Sequence, residues 1–364
     1  MRALFITGSF PPMLCGVGDY TATLAAEISL RDDMCVSVLT SMAARHKKSE
    51  EDKGFQLLSI IQRWRFSELP KIISTIRHWR PDVVHIQYHT LGYGKSWMPY
   101  FLPLFLKLYG LIVVQTWHEP PTRFRCLPNS LAIDALIGVE PDYLQNIRRR
   151  YKWLFRRKKT CFIPIASNIP KVELIETERS EIRERFAGSG RSMVVFFGFA
   201  FPTKRVEALF EIADPERDTI VLITHLDVKK DPYHRQIMAF INSGVWAGKV
   251  VVTGFLSAKD VARVLCAANA VVLPFQNGVR MRNGSFLAAK LQGSFIITTS
   301  MVKQGYEPES NVYYTLPGDN EEMRYVLSNY RDWNAKAMFQ EPLGWEKIAE
   351  EHISLYRDIL NGVA

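Results

Sequence analysis

The chain has 364 residues, 47% hydrophobic and 23% charged, with a formal net charge of +9; this excludes a largely disordered polypeptide and predicts two domains of similar size. The five cysteines (Cys15, Cys35, Cys126, Cys161, Cys266) are odd in number, scattered and never in a CxxC pair, which argues against disulfide and cysteine–zinc frameworks and for a reducing compartment. The apolar stretch before Gly8, Pro11 and Pro12 is too short for a signal peptide, so a cytoplasmic location is expected.

Short β-branched runs alternate with helically spaced ones along the whole chain. In the first half, strands are expected at 3–7, 35–40, 83–87, 112–116, 135–139 and 160–163, with helices at 20–30 and 69–78. From Trp97 to Trp117 the only charge is Lys107. A membrane span needs about 20 uninterrupted apolar residues, and Pro99, Pro103 and Gly110 interrupt this one. It reads as a short helix followed by a buried strand.

A basic run follows, R-R-R-Y-K-W-L-F-R-R-K-K, with eight cations in twelve residues. It comprises Arg148, Arg149, Arg150, Lys152, Arg156, Arg157, Lys158 and Lys159, interleaved with aromatic and apolar residues, Trp153 among them. One reading is a solvated face. Another is an anionic membrane surface, where each Lys or Arg contributes about 1 kcal/mol. No nucleic-acid module surrounds the run, so no nucleic-acid partner is expected.

The turn-rich segment 164–170 is the expected hinge. Beyond it the rhythm restarts, with strands at 193–197, 219–224, 249–252, 270–273 and 295–299. Helices are expected at 204–213, 258–267, 285–292 and 345–360. The fold class is therefore α/β: two Rossmann-like doubly wound domains, 1–166 and 167–343, facing across a cleft. A final helix, 344–364, is expected to pack back on the first domain. In such sheets ligands bind outside the carboxyl ends of the strands.

Four segments at strand ends carry candidate chemistry. The first is Gly8-Ser9-Phe10-Pro11-Pro12 with Cys15-Gly16-Val17-Gly18-Asp19-Tyr20, where Gly16 and Gly18 allow close approach and a helix start offers N–H groups to phosphate. Its spacing does not match the GxGxxG dinucleotide fingerprint. The second is His118-Glu119-Pro120, the catalytic candidates: His118 stands at the carboxyl end of a parallel strand, and Glu119 shares that position, although a solvated or structural carboxylate is the more natural reading for it. His85, at the end of another run, is a weaker parallel. The third runs from Phe197 and Gly198 to Lys204 and Arg205, two cations at an expected helix start, a placement that favours a bound anion. The fourth is 273–285, in which Arg282, Gly284 and Ser285 can meet a diphosphate. No acidic or histidine-rich metal cluster accompanies them, so neither metal nor cofactor is expected.

Together these segments resemble the retaining glycosyltransferases of the GT-B fold, in particular the family-four group. The shared features are PP-x(3)-G-V-G-D-Y, a D-V-V-H strand, a histidine after the fourth strand of the first half, IP-x-x-SNIP, G-x(5)-K, GF-x(4)-D and G-V-x-x-R-x-G-S. The resemblance spans residues 3–300. It implies a nucleotide-sugar donor, with Gly16 and Gly18 at the diphosphate and acceptor region and His118 at the sugar. Lys204, Arg205, Arg282, Gly284 and Ser285 would hold the phosphates.

Two positions depart from the family. Arg280 and Ala288 stand where a glutamate pair is usual, and Phe199 and Ala200 where an arginine is common. The preferred acceptor is a glycan or lipid-linked molecule in surface-polysaccharide assembly at the inner face of the membrane. The competing readings are a nucleotide-sugar epimerase of the same fold and a non-catalytic membrane-associated subunit.

Overall fold

The strand-forming runs are almost wholly apolar because helices cover both faces of their sheets, which removes the polar alternation of a half-exposed strand. Arg2–Thr7 shows this in R-A-L-F-I-T: every residue after Arg2 is buried. Successive side chains enter opposite faces. Leu4 and Ile6 join one apolar cluster, and Ala3 and Phe5 the other.

The computed structural model describes residues 1–44, 54–94, 96–121, 123–150, 152–156, 158–242 and 244–362, without the side chains of 123, 124, 146–150 and 152. The chain divides into two units, Met1–Ala166 with Leu343–Ala364, and Ser167–Pro342.

The first unit holds strands β1 (Arg2–Thr7), β2 (Cys35–Ser41), β3 (Gln56–Ile61), β4 (Val83–Tyr88), β5 (Ile112–Trp117), β6 (Ala135–Gly138) and β7 (Lys159–Phe162). They form one parallel sheet in the order β3-β2-β1-β4-β5-β6-β7. Its helices are α1 (Gly16–Ser29), α2 (Leu69–Trp79), α3 (Met98–Leu108), α4 (Arg123–Leu131), α5 (Pro141–Arg150) and α6 (Lys152–Phe155).

The second unit repeats the plan with β8 (Ser192–Phe197), β9 (Asp218–Ile223), β10 (Val250–Val252), β11 (Ala270–Leu273), β12 (Ile296–Thr299), β13 (Gly305–Glu307) and β14 (Val312–Thr315). Its order is β10-β9-β8-β11-β12-β14-β13, and only the pairing of β13 with β14 is antiparallel. The helices are α7 (Glu176–Ala187), α8 (Leu209–Ile212), α9 (Pro232–Asn242), α10 (Ala258–Ala267), α11 (Gly284–Leu291), α12 (Asn320–Ser328) and α13 (Tyr330–Asn334). The chain ends with α14 (Trp345–Leu360), in the first unit. Among the described residues no helix is long and apolar enough to cross a membrane.

Helix α14 shares its apolar cluster with α1 through Ile348, Ala349, Ile353, Leu355, Tyr356 and Ile359. Each large side chain buried there contributes roughly 1.5–3 kcal/mol. The helix also carries polar groups into the core. Tyr356 Oη shares a hydrogen bond with His85 Nδ1 at 2.5 Å, and His85 Nε2 with Thr116 Oγ1 at 2.7 Å. His352 Nδ1 donates to the Ile348 carbonyl at 2.8 Å, which leaves Nε2 to accept from the Tyr20 hydroxyl at 3.4 Å.

His85 is thus a satisfied core histidine. Burial, reinforced by His352 and His118, holds it well below its ordinary pKa. Burial pushes His352 down to about 4 against the pull of the Ile348 carbonyl. An unfolded histidine titrates near 6.5, so between about pH 6.5 and 4 the unfolded chain binds more protons. Stability is therefore fully present above the unfolded value and falls as the pH drops through this window, by on the order of 3 kcal/mol for His352 alone. Urea unfolding at pH 7, 6 and 5 checks this, and His352→Gln should flatten the slope; an unchanged midpoint in wild type would refute it.

Three strands lie outside the expected set: β3, β13 and β14. All three are at or next to a sheet edge. β3 is mostly half-buried and mixed in polarity, Q-L-L-S-I-I, and β13 has only three residues. Neither offers the fully apolar signature of a central strand.

Candidate functional site

In each sheet the strand order switches direction about the first strand of the unit, between β1 and β4 and between β8 and β11. The loops leaving the carboxyl ends of these four strands flank the topological switch points where α/β sheets bind ligands.

In the first unit the loops after β1 and β4 meet glycine against glycine. A Cβ on Gly8 would lie 2.4 Å from the Gly92 carbonyl carbon and 2.8 Å from the Tyr93 nitrogen. The Tyr93 hydroxyl locks the arrangement by donating towards the Ile6 carbonyl at 3.1 Å and the Gln87 carbonyl at 2.9 Å. Gly18 also packs closely, though less tightly than Gly8, a built Cβ lying 3.1 Å from Phe10 Cα and Ser9 O. Gly18 therefore serves the close approach of α1 to the preceding loop. Gly16 has nothing within 4 Å of a built Cβ and opens α1, a better place for an incoming anion.

His118 follows β5 and is 6% exposed. Its Nε2 lies 2.8 Å from Gln87 Oε1. The Tyr20 ring stands edge-on to it at 4.7 Å, and Trp345 of α14 packs on Tyr20 in turn at 5.2 Å. The imidazole is held by Gln87 and Tyr20, which suits orientation of a ligand better than free proton shuttling. Glu119 accepts the Thr90 backbone N–H at 2.5 Å. Through that oxygen it braces the loop after β4.

In the second unit, Gly198 follows β8 with φ of 132°, a backbone open to glycine and few other residues. A Cβ there would lie 3.5 Å from Ser285 Cβ, so the end of β8 touches the start of α11. The Gln276 N–H donates to the Thr203 carbonyl at 3.0 Å, tying the loop after β11 to the loop after β8.

The expected helix 204–213 is not continuous. Residues Pro202–Lys204 and Val206–Ala208 form 3-10 turns and only Leu209–Ile212 is α-helical. Arg205 between them is left-handed, with φ of 51°, which breaks the hydrogen-bond ladder. Lys204 and Arg205 therefore do not open a helix, contrary to the sequence expectation. The helix start beyond β11 is that of α11, whose first residues are Gly284 and Ser285. Asn283 makes no side-chain cap bond; its Oδ1 accepts from the Arg280 N–H at 2.6 Å. The first N–H groups of a helix lack intrahelical partners and favour an anion.

Lys204 remains the strongest candidate. Its ammonium lies 3.8 Å from the Phe275 ring centroid, and among the described residues no carboxylate pairs with it. Burial, then the nearby Arg282 guanidinium, push its pKa down to about 8. Arg282 itself is exposed. The two cations lie close enough for Arg282 to disfavour the charge of Lys204, and a helix start lies in the same segment as Arg282, a grouping that favours an anionic ligand. Arg205 differs: its Nε is 3.9 Å from Glu207 Oε1, which offsets much of its charge.

The basic run divides as well. Lys158 Nζ donates to the Ser130 carbonyl and, at 2.8 Å, to that of Leu131, and burial lowers its pKa to about 8. Lys159 pairs with Asp358 at 2.6 Å. These two are engaged within the unit, whereas Trp153 is 66% exposed and Arg156 is exposed. Arg157 lies outside the described residues, as do the side chains of Arg148, Arg149, Arg150 and Lys152.

Sequence reasoning passed over Tyr20 as a packing partner, Phe275 under the Lys204 ammonium, and His89 after β4. Only His89 left a signal, as a polar residue at the end of Val83–Tyr88. Among the described residues no group of three or more His, Cys, Asp or Glu is placed to hold a metal ion.

No family model and no curated protein matches the chain. Solved structures share its fold over its whole length. The sucrose-phosphate synthase (tll1590) of Thermosynechococcus elongatus superposes with a TM-score of 0.73 at 16% identity, covering 100% of both chains. Anabaena Alr3699/HepE, solved in complex with UDP and glucose, gives 0.69 at 13% identity over 100% of this chain and 99% of that one. A UDP-GlcNAc 2-epimerase from Neisseria meningitidis, bound to UDP-GlcNAc, gives 0.59 at 12% identity, covering 97% and 99%. The architecture of two Rossmann-like parallel-sheet domains is thus that of the GT-B glycosyltransferases.

Proposed function

We propose that the chain is a glycosyltransferase that moves a sugar from a nucleotide-diphosphate donor to a glycan or lipid-linked acceptor, with retention of configuration and without a metal. The observation that carries this reading is the site of Lys204, Arg282 and the α11 start at the switch point of the second sheet. Breaking the glycosidic bond places negative charge on the departing diphosphate. Preorganised cations and helix N–H groups stabilise that charge without reorganising at the moment of reaction.

In this reading Lys204, Arg282, Gly284 and Ser285 hold the diphosphate, with Arg205 at the margin. His118 orients the sugar as it becomes oxocarbenium-like. The acceptor hydroxyl attacks from the face the phosphate leaves, and the phosphate takes the proton. Trp153 and Arg156, with the exposed Leu104 and Leu108 of α3, support placing the acceptor at an anionic membrane surface.

A thermal-shift screen against UDP, GDP, ADP, TDP and their sugars, with and without EDTA, tests the proposal. A ligand at about 100 times its Kd stabilises by about 2.7 kcal/mol. One nucleotide series is expected to raise the midpoint equally in both buffers, and anionic vesicles are expected to sediment the protein. Silence towards every nucleotide would overturn the donor assignment, and conversion of the donor without acceptor would point to an epimerase.

A further inference from the structure

A thiol, an imidazole and a hydroxyl that the proposed transfer does not use meet where the loops after β1 and β4 touch. His89 is 6% exposed. Its Nδ1 accepts the Gly92 N–H at 3.2 Å, so the neutral ring carries its proton on Nε2. That nitrogen lies 3.0 Å from Ser9 Oγ and 4.0 Å from Cys15 Sγ. Gly92 is required here, since a Cβ would fall 2.0 Å from His89 Nε2. Cys15 is the N-cap residue of α1 and only half-buried.

We propose that Cys15 is a nucleophilic modification site, activated by His89 and Ser9, that small electrophiles and hydrogen peroxide attack in preference to the other thiols. Burial opposes ionisation, yet the hydrogen bonds from His89, the Ser9 hydroxyl and the Gly18 amide help to outweigh it and hold the thiol below its ordinary value, at about 7. Elsewhere burial pushes Cys126, Cys161 and Cys266 up, Cys161 to about 11. The thiolate is the attacking form. With peroxide its sulfur bonds one oxygen, the O–O bond breaks, and the departing hydroxide combines with the released thiol proton as water. Sulfur is oxidised to the sulfenic acid.

The inference is independent of the transferase reading, because reactivity is read with no nucleotide present. Full-length protein is treated with iodoacetamide at pH 6 and each cysteine followed by peptide mass spectrometry. Thiolate fraction favours Cys15, and the lower nucleophilicity of a more acidic thiolate trims the advantage to roughly five- to ten-fold over an ordinary thiol. Cys15 is expected to react that much faster than the exposed Cys35, with the gap closing in urea. Folded His89→Gln protein, verified by circular dichroism, should slow Cys15 at least about three-fold and leave Cys35 unchanged. Peroxide with a dione trap should mark Cys15 first. Equal rates at Cys15 and Cys35 in the native wild type, or a Cys15 rate unaffected by His89→Gln, would overturn the proposal.

Discussion

Lys204→Met is expected to lower the rate of the proposed sugar transfer about a hundred- to a thousand-fold while raising the melting temperature. The two effects have one cause. In the free protein the ammonium sits over the Phe275 ring beside Arg282, where burial and like charge both disfavour it. With the pKa depressed to about 8 against an ordinary value near 10.4, the unfolded chain binds more protons between these values. Stability therefore rises as the pH climbs through 8 to 10.4, and at neutral pH the charged lysine lowers it. Methionine fills similar volume without the charge and should recover on the order of 1 kcal/mol, allowing for partial solvent access.

On the proposed function, the loss of activity follows from removing charge stabilisation that would act on the leaving diphosphate, an effect worth about 3–4 kcal/mol in comparable sites. Steady-state kinetics with the donor identified by thermal shift, beside calorimetry of the apoprotein, check both. A variant that is more stable and fully active would remove Lys204 from the diphosphate site. Arg282→Ala should show a similar kinetic loss.

Gly8→Ala is expected to destabilise the first unit by about 3 kcal/mol, the upper part of the usual range for overpacking. The clash is with backbone: the new Cβ would stand 2.4 Å from the Gly92 carbonyl carbon and 2.5 Å from its oxygen. Rotamer change cannot relieve it. Moving the loop after β4 would disturb the two carbonyls bonded by Tyr93 and the Gly92 bond to His89. Gly16→Ala is the control, with open space at the same helix start and little expected change in stability. Chemical denaturation of both variants decides it; equal midpoints would mean that the two loops yield more easily than their contact distances imply.

The central strands were legible in the amino-acid order because burial on both faces favours largely apolar, β-branched runs, as in Val83–Tyr88 and Asp218–Ile223, where every residue is buried although His85, Gln87 and Asp218 interrupt the apolar sequence. The terminal helix was legible from its spacing and from Pro342 and Gly344 ahead of it. Lys204, Arg282 and Ser285 were legible as residue types at strand ends, and so was the alternation that makes two Rossmann-like domains.

The tertiary structure decided what each polar residue does with its neighbours. Glu119 and Gly18 share motifs with His118 and Gly16, yet Glu119 accepts a backbone N–H from a loop 29 positions away and Gly18 packs on Phe10. Lys158 and Lys159 belong to the same basic run as Arg156, but carbonyls of α4 and its end and a carboxylate of α14 engage them. Burial patterns are local and periodic, so a linear sequence carries them. Partner choice depends on which distant backbone groups arrive within about 3 Å of a side chain, and that distance exists only once the sheets have formed.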